Sequence, residues 1–137
     1  TVEFLNSGFV DMAYHLNTNP AEIDIAEFEQ DTLASRDNLD AIPMRHRSPH
    51  FLHTFAGEGY SSGYYSYLWA GVLDNDGFAA FEEAGNIFDP ELAQKLLENV
   101  FAAGDTVPAM DAYVGFRGRE PNVEPLLRNR GFIDAEG

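Results

Sequence analysis

Apolar side chains recur at steps of three and four from the start of the chain. Val2, Leu5, Phe9, Met12, Ala13 and Leu16 fall on one stripe of a helix. That pattern opens at Thr1 with no lead-in, as in a cut chain. Asn19-Pro20 breaks it, and a second helix is predicted from about Ala21 to Leu39, with Ile25, Phe28 and Leu39 facing inward and Pro43 beyond its end. Ser48-Pro49 reads as a cap followed by proline in the first turn of a short helix that reaches Phe55. Gly57-Glu58-Gly59 stops it. The longest apolar and aromatic stretch runs from about Tyr60 to Phe81, with Gly77 as a dividing point and Gly85 as its C-terminal cap. Asp89-Pro90 starts a helix with Leu92, Leu96, Val100 and Phe101 inward and Gly104 at its end. Pro108 opens another, to about Phe116. A last one near Val123 to Arg128 closes at Gly131, with Phe132 placed to complete the cap. Strand signals are weak throughout, so the expected fold class is all-α.

Composition agrees with a packed fold. Hydrophobic residues make up 45% of the 137 and aromatic residues 13%, whereas disordered segments are poor in aromatics. A chain of this length buries roughly 70% of its unfolded surface. The formal charge of −15, from 23 acidic and 8 basic residues, would repel a phosphate backbone, so nucleic acid is not an expected partner. Anionic membranes are disfavoured for the same reason, and no apolar run approaches the roughly 20 residues that span a bilayer. The acidity reads first as solubility. The chain has no cysteine, which excludes disulfides and thiolate metal sites. That absence is compatible with a reducing compartment, and a cytoplasmic location is the expectation.

Candidate chemistry lies in three places. His46, His50 and His53 cluster, and two histidines four apart on a helix can share a metal. Pro49 lies between His46 and His50, however, and would spoil the helix joining them. No HExxH string occurs, so these histidines are not expected to hold zinc. His15 reads as structural or exposed.

Tyr60, Tyr64 and Tyr67, spaced i, i+4, i+7, would share one helical face, with Tyr65, Leu68, Trp69, Val72 and Leu73 on the apolar side. Two readings stay open. A row of phenols beside a groove can donate hydrogen bonds to peptide carbonyls, or the rings can be core packing whose hydroxyls find backbone acceptors. Gly57, Gly59 and Gly63 bracket Tyr60 and suit either a loop that closes on a substrate or a tight turn between helices. The third place is Phe116-Arg117-Gly118-Arg119-Glu120-Pro121. Its alternating charges read as ion pairs, with binding of a substrate carboxylate as the alternative. Arg45 and Arg47 are read the same way.

Taken together, these motifs resemble a known family. The stretch HTFAGEGYSSGYYSYLWAGVLDNDGFAAFEEAGNIFD, the terminal FRGREPNVEPLLRNRGF and the opening TVEFLNSGFVDMAYHL are similar to the C-terminal part of the thimet oligopeptidase, oligopeptidase A and peptidyl-dipeptidase family. The resemblance covers nearly the whole chain. It implies a large helical zinc metallopeptidase that cleaves short peptides, with residues 1–137 forming the C-terminal part of its catalytic domain. In that family zinc is held by an HExxH motif and a downstream Glu, which would lie upstream of Thr1. Zinc is thus a cofactor of the parent protein and is not expected to bind this chain's residues.

By position in the motif, Tyr67 matches the tyrosine that stabilises the oxyanion, Tyr60 the loop tyrosine that closes on substrate, and Tyr64 a substrate contact. His53 matches the histidine before the Gly-rich loop, in which Gly57 and Gly59 would face substrate. Many members have Gly-Gly where this chain has Gly57-Glu58-Gly59, one residue longer. Tyr60 and Tyr67 are counted from the intact GYYSYLW side, while His53 is reached across the insertion. The expected partners are short peptides and the remainder of the parent peptidase, and the chain alone is expected to be inactive. The rival readings are a free-standing helical binding module derived from the peptidase and one half of a split enzyme.

Overall fold

The computed structural model describes residues 1–134; positions 135–137 of the expected span lie outside the described residues. Among the described residues there are seven α-helices and no strand. The chain divides into two compact units, Thr1–Leu68 and Trp69–Gly137.

The first unit contains α1 (Val2–Leu16), α2 (Ile25–Ala34) and α3 (Leu52–Phe55), with 3₁₀ turns at Pro20–Glu22, Ser48–His50 and Glu58–Tyr60. α2 starts later than predicted because Asp24 resets its beginning. The Asp24 carboxylate accepts from the amides of Ala26 and Glu27, both at 3.0 Å, satisfying donors that have no partner within the helix. Asp37, at φ 54°, ends it. Its amide bonds to the Ala34 carbonyl and that of Asn38 to Leu33, the paired closure normally built on glycine. Leu39 therefore lies beyond the helix and, like Ile25, is exposed rather than inward.

The core of this unit is Val10, Leu33, Met44 and Phe51, with Tyr14 and Tyr64 packed against it. Burying such a side chain stabilises by about 1.5–3 kcal/mol. α1 presents an unexpected face to that core. Its buried residues are Asn6, Ser7, Val10 and Asp11, while Leu16 is 72% exposed. Leu5, Phe9 and Met12 of the predicted stripe instead line an open apolar cleft of about 250 Å³, together with Tyr65 and Leu68 among others. Polar bonds set the rotation of the helix. Asn6 donates to the Asn38 side chain at 2.8 Å, which in turn donates to the Ile42 carbonyl at 3.1 Å. The buried Glu29 accepts from the Ser48 amide at 2.8 Å and hydroxyl at 2.7 Å and is paired with Arg47.

α4 (Ser66–Glu83) begins in the first unit and continues in the second, which also holds α5 (Pro90–Leu96), α6 (Ala109–Arg117) and α7 (Glu124–Asn129). Gly77 does not divide α4. A Cβ there would sit 3.6 Å from the ring of the buried Phe116, an ordinary contact distance. The predicted punctuation is otherwise present. Gly85, Gly104 and Gly131 all have positive φ. At Gly131 the paired closure is complete, with Gly131 bonded to the Arg128 carbonyl and Phe132 to Leu127. Asp89 caps α5, accepting from Glu91 and Leu92 at 2.9 Å each, with Pro90 in the first turn.

α5 runs directly into a π-helical turn, Leu97–Phe101. Asn99 there lies so close to α6 that a Cβ on Gly115 would be 2.5 Å from its side-chain oxygen. Val72, Asp76, Ala79, Ala80, Ala112, Tyr113, Phe116 and Leu126 are buried in this unit. Phe101, predicted inward, is exposed, as are Tyr65 in the first unit and Trp69 in the second.

Candidate functional site

α4 does not start at Tyr60, so the three tyrosines do not share a helical face. Tyr60 ends the Glu58–Tyr60 turn and Tyr64 follows a turn at Ser62-Gly63. Only Tyr67 is on the helix. The loop nevertheless brings all three to His53 on α3. Ring centroids lie 5.0 Å from His53 to Tyr60, 5.6 Å to Tyr64 and 5.7 Å to Tyr67, with Tyr64 and Tyr67 5.2 Å apart. The Tyr67 hydroxyl is 3.3 Å from His53 Nε2.

Tyr64 is the inner member, edge-on to Phe51 at 4.9 Å and packed on Phe4 at 5.6 Å. Tyr60 and Tyr67 are 49% and 50% exposed. Tyr64 is therefore packed on its inner side, while the rings of Tyr60 and Tyr67 are half-open to solvent. Tyr64 and Tyr67 line a depression of about 320 Å³ with His46, His50 and His53.

The glycines of the loop differ in what they do. Gly57 has φ 163°, an extended conformation open to any residue, and a Cβ on Gly57 or Gly59 would meet nothing within 4 Å. Gly63 is confined, because a Cβ there would lie 3.2 Å from the Tyr60 carbonyl oxygen. Ser62 beside it has φ 55°, a left-handed conformation that costs a non-glycine residue of order 1 kcal/mol.

Asp11, which the apolar periodicity of α1 had passed over, holds this turn. Its carboxylate has no solvent exposure. Oδ1 accepts from the Ser62 amide at 3.1 Å and Oδ2 from the Tyr64 amide at 2.9 Å. His15, one helical turn on, places Nδ1 2.8 Å from the Asp11 backbone carbonyl and 2.9 Å from Oδ1. The signal in the sequence was an aspartate, a poor helix former, in mid-helix with a histidine four residues later.

In the second unit the FRGREP segment makes the ion pairs expected of it. Arg119 donates to both oxygens of the buried Asp76, at 2.7 and 3.1 Å, and Arg117 binds Glu83 through both terminal nitrogens at 2.5 and 2.9 Å. Asp76 was not singled out in the sequence. Among the described residues no group of three or more His, Asp or Glu side chains could hold a metal ion. No helix among the described residues is long and apolar enough to cross a membrane.

Known proteins agree with the motifs. A family model described as Peptidase family M3 matches residues 1–132. A dipeptidyl carboxypeptidase from Salmonella typhimurium is 40% identical over 131 residues, covering 94% of this chain and 19% of that protein. Oligopeptidase A from Escherichia coli is 42% identical over 131 residues, 93% of this chain and 18% of that protein. A probable cytosolic oligopeptidase A from Arabidopsis thaliana is 38% identical over 131 residues, 92% and 18%. The chain spans about a fifth of the length of these relatives. It belongs to peptidase family M3.

Proposed function

We propose that the chain is the C-terminal part of the catalytic domain of a zinc metallopeptidase that hydrolyses short peptides, as an oligopeptidase or a peptidyl-dipeptidase. The observation that carries this reading is the gathering of Tyr60, Tyr64 and Tyr67 around His53 with two of the phenols half open to solvent. The names of the relatives support the substrate class. A cytoplasmic location fits the plant relative named as cytosolic.

In this reading Tyr67 donates a hydrogen bond to the oxygen on which negative charge grows as the peptide carbonyl is attacked. A phenol is neutral near pH 7 and can donate. The charge it meets exists only in the transition state, so the bond lowers the barrier more than it tightens binding. His53, 3.3 Å from the Tyr67 hydroxyl, sets the direction in which that phenol points. Tyr60 and Tyr64, on the loop that contains Gly57 and Gly59, bind the substrate. Zinc, with the activated water it supplies, is held by residues of the parent protein outside this chain, and the chain alone is inactive.

The test is Tyr67→Phe in the full-length protein, assayed on a quenched fluorescent peptide. We expect kcat to fall about a hundredfold with KM little changed. An undiminished kcat would remove Tyr67 from the mechanism. The isolated chain with added zinc is expected to read background in the same assay, and chelator-sensitive cleavage would overturn the placement of the metal ligands elsewhere.

A further inference from the structure

We propose that Asp11 is a positioning residue for the tyrosine loop, an inference that rests on the peptidase reading above. A carboxylate without solvent exposure is costly unless each oxygen is hydrogen-bonded. Here both oxygens are engaged, and the partners lie in one short segment: the amide of Ser62 at 3.1 Å and that of Tyr64 at 2.9 Å. His15 Nδ1 is hydrogen-bonded to the Asp11 backbone carbonyl at 2.8 Å and lies 2.9 Å from Oδ1.

This clamp fixes a segment that local preference would not hold. Ser62 is left-handed at φ 55°. Gly63 is pressed under the Tyr60 carbonyl, which also accepts the Gly63 amide at 3.2 Å. The three phenols hang on either side of it: Tyr60 two residues before Ser62, Tyr64 on the clamp itself, and Tyr67 one turn later, its amide bonded to the Tyr64 carbonyl at 3.3 Å. Freeing the two amides would let the Ser62-Gly63 turn relax, and the rings would lose their common approach to His53. The identity of the residue matters. Two N–H groups need two acceptors. Asparagine offers one acceptor and one NH₂, which would face an amide hydrogen with another hydrogen. Asp11→Asn is therefore nearly isosteric yet breaks half of the clamp.

The experiment uses the full-length protein and reads amide hydrogen exchange together with peptide kinetics. In the unsubstituted protein the amides of Ser62 and Tyr64 should be protected at least tenfold relative to their unstructured rates. Exchange at the unstructured rate would overturn the clamp without any variant having to fold. In Asp11→Asn at least one of these two amides should exchange at least tenfold faster while Val10 and Leu33 stay within twofold, and KM for the peptide should rise at least threefold. A purely structural role would accelerate exchange throughout α1 and α2, or lower kcat through loss of folded protein with KM unchanged, and either result overturns the proposal. Tyr67→Phe is run in parallel. If it lowers kcat while Asp11→Asn leaves KM within twofold, the role of Asp11 falls and the peptidase reading stands. If neither variant changes the kinetics, the proposed site falls and the inference with it.

Discussion

At position 76 a carboxylate with no solvent exposure accepts the Tyr113 hydroxyl at 2.5 Å and two nitrogens of Arg119. Burial alone would push its pKa up. The bonds from Arg119 and Tyr113 and the charges of Arg119 and Arg117 outweigh burial and hold it below the ordinary value of 3.8. The same arrangement raises the Tyr113 phenol, first through burial and then through its bond to Asp76. Hydrogen bonds to a charged group contribute about 1.5–3 kcal/mol, so Tyr113→Phe should lower stability to unfolding in urea by that amount, with Arg119 still satisfying the carboxylate. An unchanged midpoint would mean that the hydroxyl contributes nothing. The pairing of Arg119 was legible in the sequence, but its partner Asp76 and the bond from Tyr113 were not. Asp74 and Asp76 look alike there, yet Asp74 is exposed, and Asp76 is set apart by partners 37 to 43 residues away. The phenols and His53 were legible because a motif carried them, while the carboxylate holding their loop carried no motif at all.

Helix ends proved easier to read than helix faces. Asp89-Pro90, Gly85, Gly104 and Gly131 act locally, through a side chain reaching its own first turn or a residue able to take positive φ, and all four are where the sequence put them. Asp89→Ala should therefore fray the start of α5 and reduce stability by about 0.5–2 kcal/mol. Faster amide exchange at Glu91 and Leu92 would report it, and unchanged exchange at both would count against the cap. Faces depend on distant partners. α1 turns Asn6 and Asp11 inward to reach Asn38, Ser62 and Tyr64, and Leu5, Phe9 and Met12 of its apolar stripe line a cleft instead. The start of α4 was misplaced for a related reason. The tyrosine spacing continues through Tyr60 and Tyr64, but a turn closed by the Gly63 amide on the Tyr60 carbonyl interrupts it, with Asp11 holding the Ser62 and Tyr64 amides.

Across the whole molecule, a formal charge of −15 makes the response to acid a useful probe. Asp76 and Glu83 both titrate lower than usual when folded, Glu83 chiefly because Arg117 binds it. A depressed carboxylate contributes stability that is complete above its ordinary value and is lost as pH falls through the folded value. The loss begins near the ordinary values, 3.8 for Asp76 and 4.5 for Glu83, and continues below them. Glu83 is 59% exposed at its side chain, so Asp76 should dominate. Tm should fall as pH drops below about 4.5, and Asp76→Asn should flatten that fall; an equally steep fall in the variant would assign it to other groups. All-α class was plain from periodicity, and the family from motifs that run almost the length of the chain. What neither could show is which polar residues join distant segments. The bond from Asp11 to Ser62 and Tyr64 spans 51 and 53 positions, and that separation has a consequence during synthesis. A ribosome adds about 5–20 residues per second, so the carboxylate is made roughly 3–10 s before the amides it will hold. Through that interval it stays hydrated, and the tyrosine cluster takes shape only after the chain has grown past it.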